Sequence, residues 1–138
     1  MNAHDVHKKG ADAFNRHDLD GFVGIYSSDA VVNDPAYPEP LKGHEAIRKD
    51  ISDFFTAFPD LQVRLVNSLA TGDAIAAEWS MTGTHKGPLP GPSGTIQPTN
   101  KTFEVSIGTF ETLDSAGRIA EEHRYYDQAS LFTQLGIA

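Results

Sequence analysis

Cysteine is missing from the 138 residues, which excludes disulfides, thiolate zinc sites and cysteine nucleophiles. Basic residues are few, 11 Lys and Arg against 19 Asp and Glu, for a net charge of −8. No Lys/Arg cluster offsets this balance, and a nucleic-acid partner is excluded because phosphate binding needs a basic surface. No stretch of about 18 apolar residues occurs, and "MNAHDVHKKGADAF" at the start lacks an apolar core of signal-peptide length. The default expectation is a soluble cytoplasmic protein with no membrane partner.

Familiar catalytic signatures are missing too. There is no G-x-G-x-x-G, Walker loop, G-x-S-x-G or H-E-x-x-H; His44-Glu45 begins like the last but has no second histidine. The six histidines, His4, His7, His17, His44, His85 and His123, show no ligand spacing, so no metal site is expected. What remains is acid–base chemistry by carboxylates, histidines and tyrosines.

The length suits one domain, 1–138, with one core and a modest cavity. Val6, Gly10, Ala13 and Phe14 mark one face of a first helix, and Asp18 is a candidate N-cap for a second carrying Leu19, Phe22, Val23 and Tyr26. "AVVNDP" reads as a strand stopped by Pro35, and "AYPEPLKG" as loop. Ile47, Ile51, Phe54, Phe55 and Phe58 stripe a third helix that begins near His44 and ends at Pro59. The period then becomes two: Leu61, Val63 and Leu65, a "TGD" turn, then Ile75, Ala77, Trp79, Met81 and Gly83. Lys86 to Asn100 forms a long Pro/Gly loop. Phe103, Val105 and Ile107 restore the alternation, and the shift to Phe110 predicts a bulge at Gly108. A last strand, Ile119–Tyr126, leads into a helix at 128–135. Segregated helices and strands predict an α+β fold, a curved, mostly antiparallel sheet wrapped around N-terminal helices with a conical hollow between the layers.

Two places could carry chemistry. In "EEHRYYDQASLFTQLG", His123, Tyr125 and Asp127 alternate along the last strand. Asp127 either caps the closing helix by accepting the Ser130 N–H, or faces the hollow as a general acid/base whose pKa burial raises. Asp34, in "VVNDP", either starts the turn at Pro35 or serves as a general base at a strand end. His85 is a candidate pocket donor, and Tyr37, Phe54, Phe58, Trp79, Met81 and Tyr125 are candidate wall residues for a small hydrophobic molecule.

Across nearly the whole chain, "FNRHDLDGFVGIYSSDAVVNDPAYPEPLKGHEAIRKDISDFFTAFPDL", "TGTHKG" and "GRIAEEHRYYDQASLFTQLG" resemble the SnoaL-like polyketide cyclases. These belong to the nuclear-transport-factor-2-like superfamily that includes ketosteroid isomerase. The resemblance implies a cone-shaped α+β barrel, usually a homodimer. It also implies intramolecular aldol ring closure without metal or cofactor, with Asp127 in the place of the general acid/base and His85 or His123 as its helper. Asp34 falls on the isomerase base, but the isomerase's tyrosine and protonated aspartate align with Gly10 and about Gly108, which cannot act as such donors. A non-catalytic carrier or dimeric accessory domain is the alternative. Epoxide opening would want an arginine clamped between two aspartates; Arg124 lies on the parity opposite to Asp127.

Overall fold

The computed structural model describes residues 3–137. Helix α1 (Ala3–Asn15) buries Val6, His7, Gly10, Ala13 and Phe14 on one stripe. His17, with φ of +55°, breaks the helical path. Asp18 then caps α2 (Leu19–Val23), accepting the Gly21 N–H at 3.0 Å. Strand β1 (Tyr26–Asn33) and the short β2 (Leu41–Lys42) lead into α3 (Gly43–Ala57). Four long strands follow, β3 (Gln62–Thr71), β4 (Ala74–Thr84), β7 (Thr102–Leu113) and β8 (Ile119–Tyr125), and α4 (Gln128–Gln134) closes the chain. The expected long loop holds a small hairpin, β5 (Leu89–Gly91) and β6 (Gly94–Ile96), paired Leu89 to Ile96.

The six-stranded sheet has the order β2-β1-β8-β7-β4-β3. All its neighbours are antiparallel except β1 and β8. The helices cover the concave face, and the architecture is the α+β cone expected from the sequence. Two clusters of buried apolar side chains hold the layers together. One gathers Phe14, Ile51, Phe58, Leu61, Met81, Phe103, Leu131 and Leu135. The other gathers Val6, Val23, Ile25, Tyr26, Val32, Ile47, Ile75, Leu113 and Ile119. Each fully buried Leu, Ile or Phe contributes about 1.5–3 kcal/mol of transfer free energy.

The bulge expected at Gly108 is not there. β4 and β7 pair residue for residue from Ala74↔Thr112 to Thr84↔Thr102, with Glu78 opposite Gly108. The inward positions after Ile107 are Thr109, Glu111 and Leu113, while Phe110 lies on the outer face, 57% exposed. The apolar parity changes because polar residues take over the concave face, not because the strand slips. The extra residue sits further on: Leu113 pairs with Ile119 but Thr112 with Glu121, which leaves Ala120 unpaired. That bulge inverts the facing of β8. Past it, Glu122 and Arg124 point into the cone, and His123 and Tyr125 point out.

Candidate active site

A cavity of about 120 Å³ opens between the helices and the concave face. Its apolar walls include Phe14, Phe22, Phe54, Trp79, Met81 and Ile107. The polar lining is Asp34, Asp50, Glu111, Glu122, Arg124, Tyr26, Tyr126, Thr109 and His7.

Arg124 organises one end. Its Nη1 donates to Asp50 Oδ2 at 2.8 Å and to Asp34 Oδ2 at 3.1 Å, and its Nε donates to Glu122 Oε1 at 2.7 Å. The four side chains come from β8, α3 and the end of β1, so the full fold is needed to bring them together. Tyr37 donates to Asp50 Oδ1 at 2.6 Å, and Tyr126 to Asp34 Oδ1 at 2.9 Å. The Ala36 N–H also binds Asp34 Oδ1, at 2.8 Å. Burial beside these carboxylates pushes both phenols upward, so each stays protonated and donates. The guanidinium is held above its ordinary range by the same acids, chiefly Glu122, against the cost of its burial.

A second group lies on the β7–β8 ladder. Glu111 pairs directly with Glu122 across the two strands, and both side chains line the cavity. Burial, then repulsion by Glu122, holds the Glu111 carboxyl well above the ordinary range. Burial pushes Glu122 up, but Arg124 beside it and the hydrogen bonds accepted from Arg124 and Tyr26 together outweigh that and hold it below its own range. Tyr26 donates to both Glu122 oxygens, at 2.9 and 3.0 Å. His7 Nε2 lies 2.5 Å from Glu111 Oε1, with the imidazole edge-on to Trp79, and burial lowers the His7 pKa.

Of the residues anticipated from sequence, Asp34, Phe54, Trp79 and Met81 line the cavity, and Tyr37 stands behind Asp50. The inward orientation of Asp127 is corrected. It is exposed and caps α4, its Oδ1 accepting the Ser130 N–H at 3.0 Å. The strand–helix junction turns its carboxylate toward the orphan amides of α4. His123 lies on the outer face and meets Glu121 at 2.7 Å. Tyr125, 57% exposed, packs on Phe110. His85 is fully buried but outside the cavity, its ring against Phe58 and its Nδ1 accepting the Thr99 N–H at 3.2 Å. Phe58 is core, packed on Phe103. Sequence reasoning missed Asp50, Glu111, Glu122, His7 and Tyr126. Asp50 had a readable signal: it falls on the apolar stripe of α3, between Ile47 and Phe54.

The sequence profile of the SnoaL-like polyketide cyclase family matches residues 4–135, nearly the whole chain. The chain belongs to that family. No curated protein matches it. Among solved structures it is similar to AclR of Streptomyces galilaeus, a candidate hydroxylase, at TM-score 0.83 and 24% identity, over 99% of this chain and 96% of AclR. It is similar to IdmH of Streptomyces antibioticus, a candidate polyketide cyclase, at TM-score 0.80 and 24% identity, over 99% of both chains. SalBIII, an epoxide hydrolase/cyclase-like enzyme of pyran-ring formation in the polyether salinomycin, superposes at TM-score 0.76 with 16% identity, over 93% of this chain and 92% of SalBIII. These likenesses speak to the fold. Gly10 lines the cavity, whereas Gly108 shares the outward parity of Phe110 on β7.

Proposed function

We propose that this protein is an acid–base enzyme of cyclase type, acting on a hydrophobic, polyketide-like carbonyl compound whose reacting ring enters the cavity. The observation that carries this reading is the pair of carboxylates, Asp34 and Asp50, held on one arginine nitrogen at the polar end of an otherwise apolar chamber. One of them removes a proton from carbon beside a carbonyl. The resulting enolate carbon attacks a second carbonyl of the same molecule, forming the ring C–C bond, and the new alkoxide takes up a proton. Positioned general acid–base groups supply about 10²–10⁴-fold in such steps, and the apolar walls strengthen the electrostatic part by excluding water. The protein's own part in this sequence is to take and return protons through its side chains. The outer face bearing Leu69, Phe110 and Tyr125, which are 69%, 57% and 57% exposed, is the surface we assign to a second copy of the chain.

A single aromatic ring is of the right order for a chamber of about 120 Å³, given that a cavity of ~150 Å³ accepts benzene, so a single-ring ketone is the smallest probe of the reaction. Phenylacetone in D₂O should therefore exchange its benzylic protons faster with the protein than without it. Asp34→Asn and Asp50→Asn should each reduce that catalysis at least ~100-fold. Binding with no exchange would assign the cavity to a carrier.

A second reading, epoxide opening, is favoured by the arrangement around Arg124, two aspartates clamped on one guanidinium. A protonated carboxyl would give its proton to the epoxide oxygen as the C–O bond breaks, while the other carboxylate takes the proton of the attacking hydroxyl. SalBIII, of the same fold, is described as epoxide hydrolase/cyclase-like. Conversion of styrene oxide to its diol, without ketone exchange, would select this reading.

A further inference from the structure

Four carboxyls line the cavity, and three of them bond Arg124; the fourth, Glu111, does not. Glu111 instead faces Glu122 directly across the ladder. Two buried carboxylates in that position repel, so one of the two holds a proton. The arginine bond fixes Glu122 as the anionic member, which leaves the proton on Glu111. On its other side Glu111 meets His7 Nε2 at 2.5 Å. His7 Nδ1 lies 3.4 Å from Ser68 Oγ, and Ser68 Oγ lies 3.2 Å from Nδ1 of His4, which is exposed. A continuous line of exchangeable protons thus joins the cavity wall to solvent.

We infer that Glu111 is a standing proton donor in the cavity wall, a general acid for an oxygen that turns negative during the reaction, and that His7 reloads it from solvent through Ser68. At rest Glu111 keeps its proton beside Glu122, His7 Nε2–H donates to Glu111, and the Ser68 hydroxyl donates to His7 Nδ1. A substrate oxyanion becomes the acceptor of the Glu111 proton. The Glu111 O–H bond breaks as the substrate O–H bond forms, and the carboxylate left beside Glu122 takes the Nε2 proton. His7 Nδ1 takes a proton from Ser68, which recovers one from water. The sum is one proton moved from solvent to the substrate oxygen. The charged and titratable groups facing Glu111 are His7 and, beyond it, His4 on α1, Glu122 and Arg124 on β8, and Tyr26 on β1. Burial favours the neutral form of both groups, raising the Glu111 carboxyl and lowering the His7 imidazole. A carboxyl with a raised pKa is matched to a strongly basic enolate or alkoxide oxygen.

This role in turnover rests on the acid–base function proposed above, so two measurements are needed. The first is independent of activity. In protein carrying ¹³C-carboxyl glutamate, the resonance that disappears in Glu111→Gln should sit at the protonated position at pH 7. Its midpoint should fall in Glu122→Gln; a wild-type resonance at the carboxylate position overturns the inference. The second uses phenylacetone exchange. Glu111→Gln should lose ~100-fold in rate with unchanged ligand affinity, and Glu111→Asp should recover part of it. His7→Gly should be slow and should be rescued by free imidazole, which a merely structural histidine would not show. Exchange by Glu111→Gln at the wild-type rate overturns the inference. If the wild-type protein leaves phenylacetone untouched, that failure belongs to the proposed function, and the carboxyl resonance alone decides whether Glu111 holds the proton.

Discussion

Asp34, just past the end of β1, and Asp50, in the middle of α3, are held on the same nitrogen of Arg124, at 3.1 and 2.8 Å. Neither acid is near the other in sequence, and only the closing of the helical layer onto the sheet joins them. The same guanidinium holds Glu122 through Nε, so one cation serves three carboxyls.

That concentration of charge sets the first prediction. Arg124→Met leaves Asp34, Asp50 and Glu122 without their shared cation in a site where the arginine side chain is 11% exposed. Removing one partner of a buried ion cluster costs about 3–5 kcal/mol. Urea unfolding should show a loss of that size, and Arg124→Lys should recover only part, because an ammonium lacks the planar fork that reaches three acids. A loss below ~1 kcal/mol would mean that the cluster is not organised by this residue.

Asp127 gives the opposite kind of prediction. Its carboxylate satisfies the Ser130 amide at the exposed start of α4, so Asp127→Ala should cost about 1 kcal/mol, the usual worth of an N-cap. Phenylacetone exchange by the folded variant should match the wild type. A folded Asp127→Ala protein that loses exchange selectively would return this residue to the reaction.

Why did the last strand read the wrong way round in sequence? Strand β8 carries few apolar side chains, and its fully buried anchor, Ile119, is odd-numbered. Extending that parity puts His123 and Tyr125 inside. The unpaired Ala120 reverses it, and a one-residue bulge in a polar strand leaves no mark in a hydrophobicity pattern. The helices were legible because their apolar stripes are strong: Val6, Ala13 and Phe14 on α1, and Ile47 and Ile51 on α3, are all buried. Asp34 and Trp79 could be placed because their elements are short or regularly alternating. Glu111 was hidden because a carboxylate on a strand normally means solvent, and its burial follows only from its neighbours His7 and Glu122.

The convex face carries the third prediction. Leu69 pairs with Ala76, Ala76 with Phe110, and Phe110 with His123 across four strands, giving a row whose large apolar members are exposed. If this row seats a second copy of the chain, Phe110→Glu should place a charge in the middle of the interface. Size-exclusion chromatography with light scattering should then show a dimer for the wild type and a monomer for the variant, with cavity chemistry retained. A wild-type monomer at micromolar concentration would remove the assignment.

The pH dependence of stability tests the charge states of the buried groups, because the Glu111 carboxyl acts with the opposite sign to the two buried histidines, His7 and His85. Glu111 has a raised pKa in the folded protein, so above the unfolded value of about 4.3 the folded state binds more protons at this site. Stability from this group is fully present below that value and declines as pH rises toward the folded pKa. His7 and His85 have lowered pKa values from burial. Their unfolded forms take up protons first as pH falls below about 6.5, so these two favour folding above that pH and weaken it below. Urea midpoints of wild type and Glu111→Gln should therefore diverge as pH increases from about 4.5 to 7, the variant gaining relative to the wild type. Both should still lose stability as pH falls below about 6.5, through the histidines. Parallel curves across the whole range would show that Glu111 ionises in the folded protein as freely as in the unfolded chain.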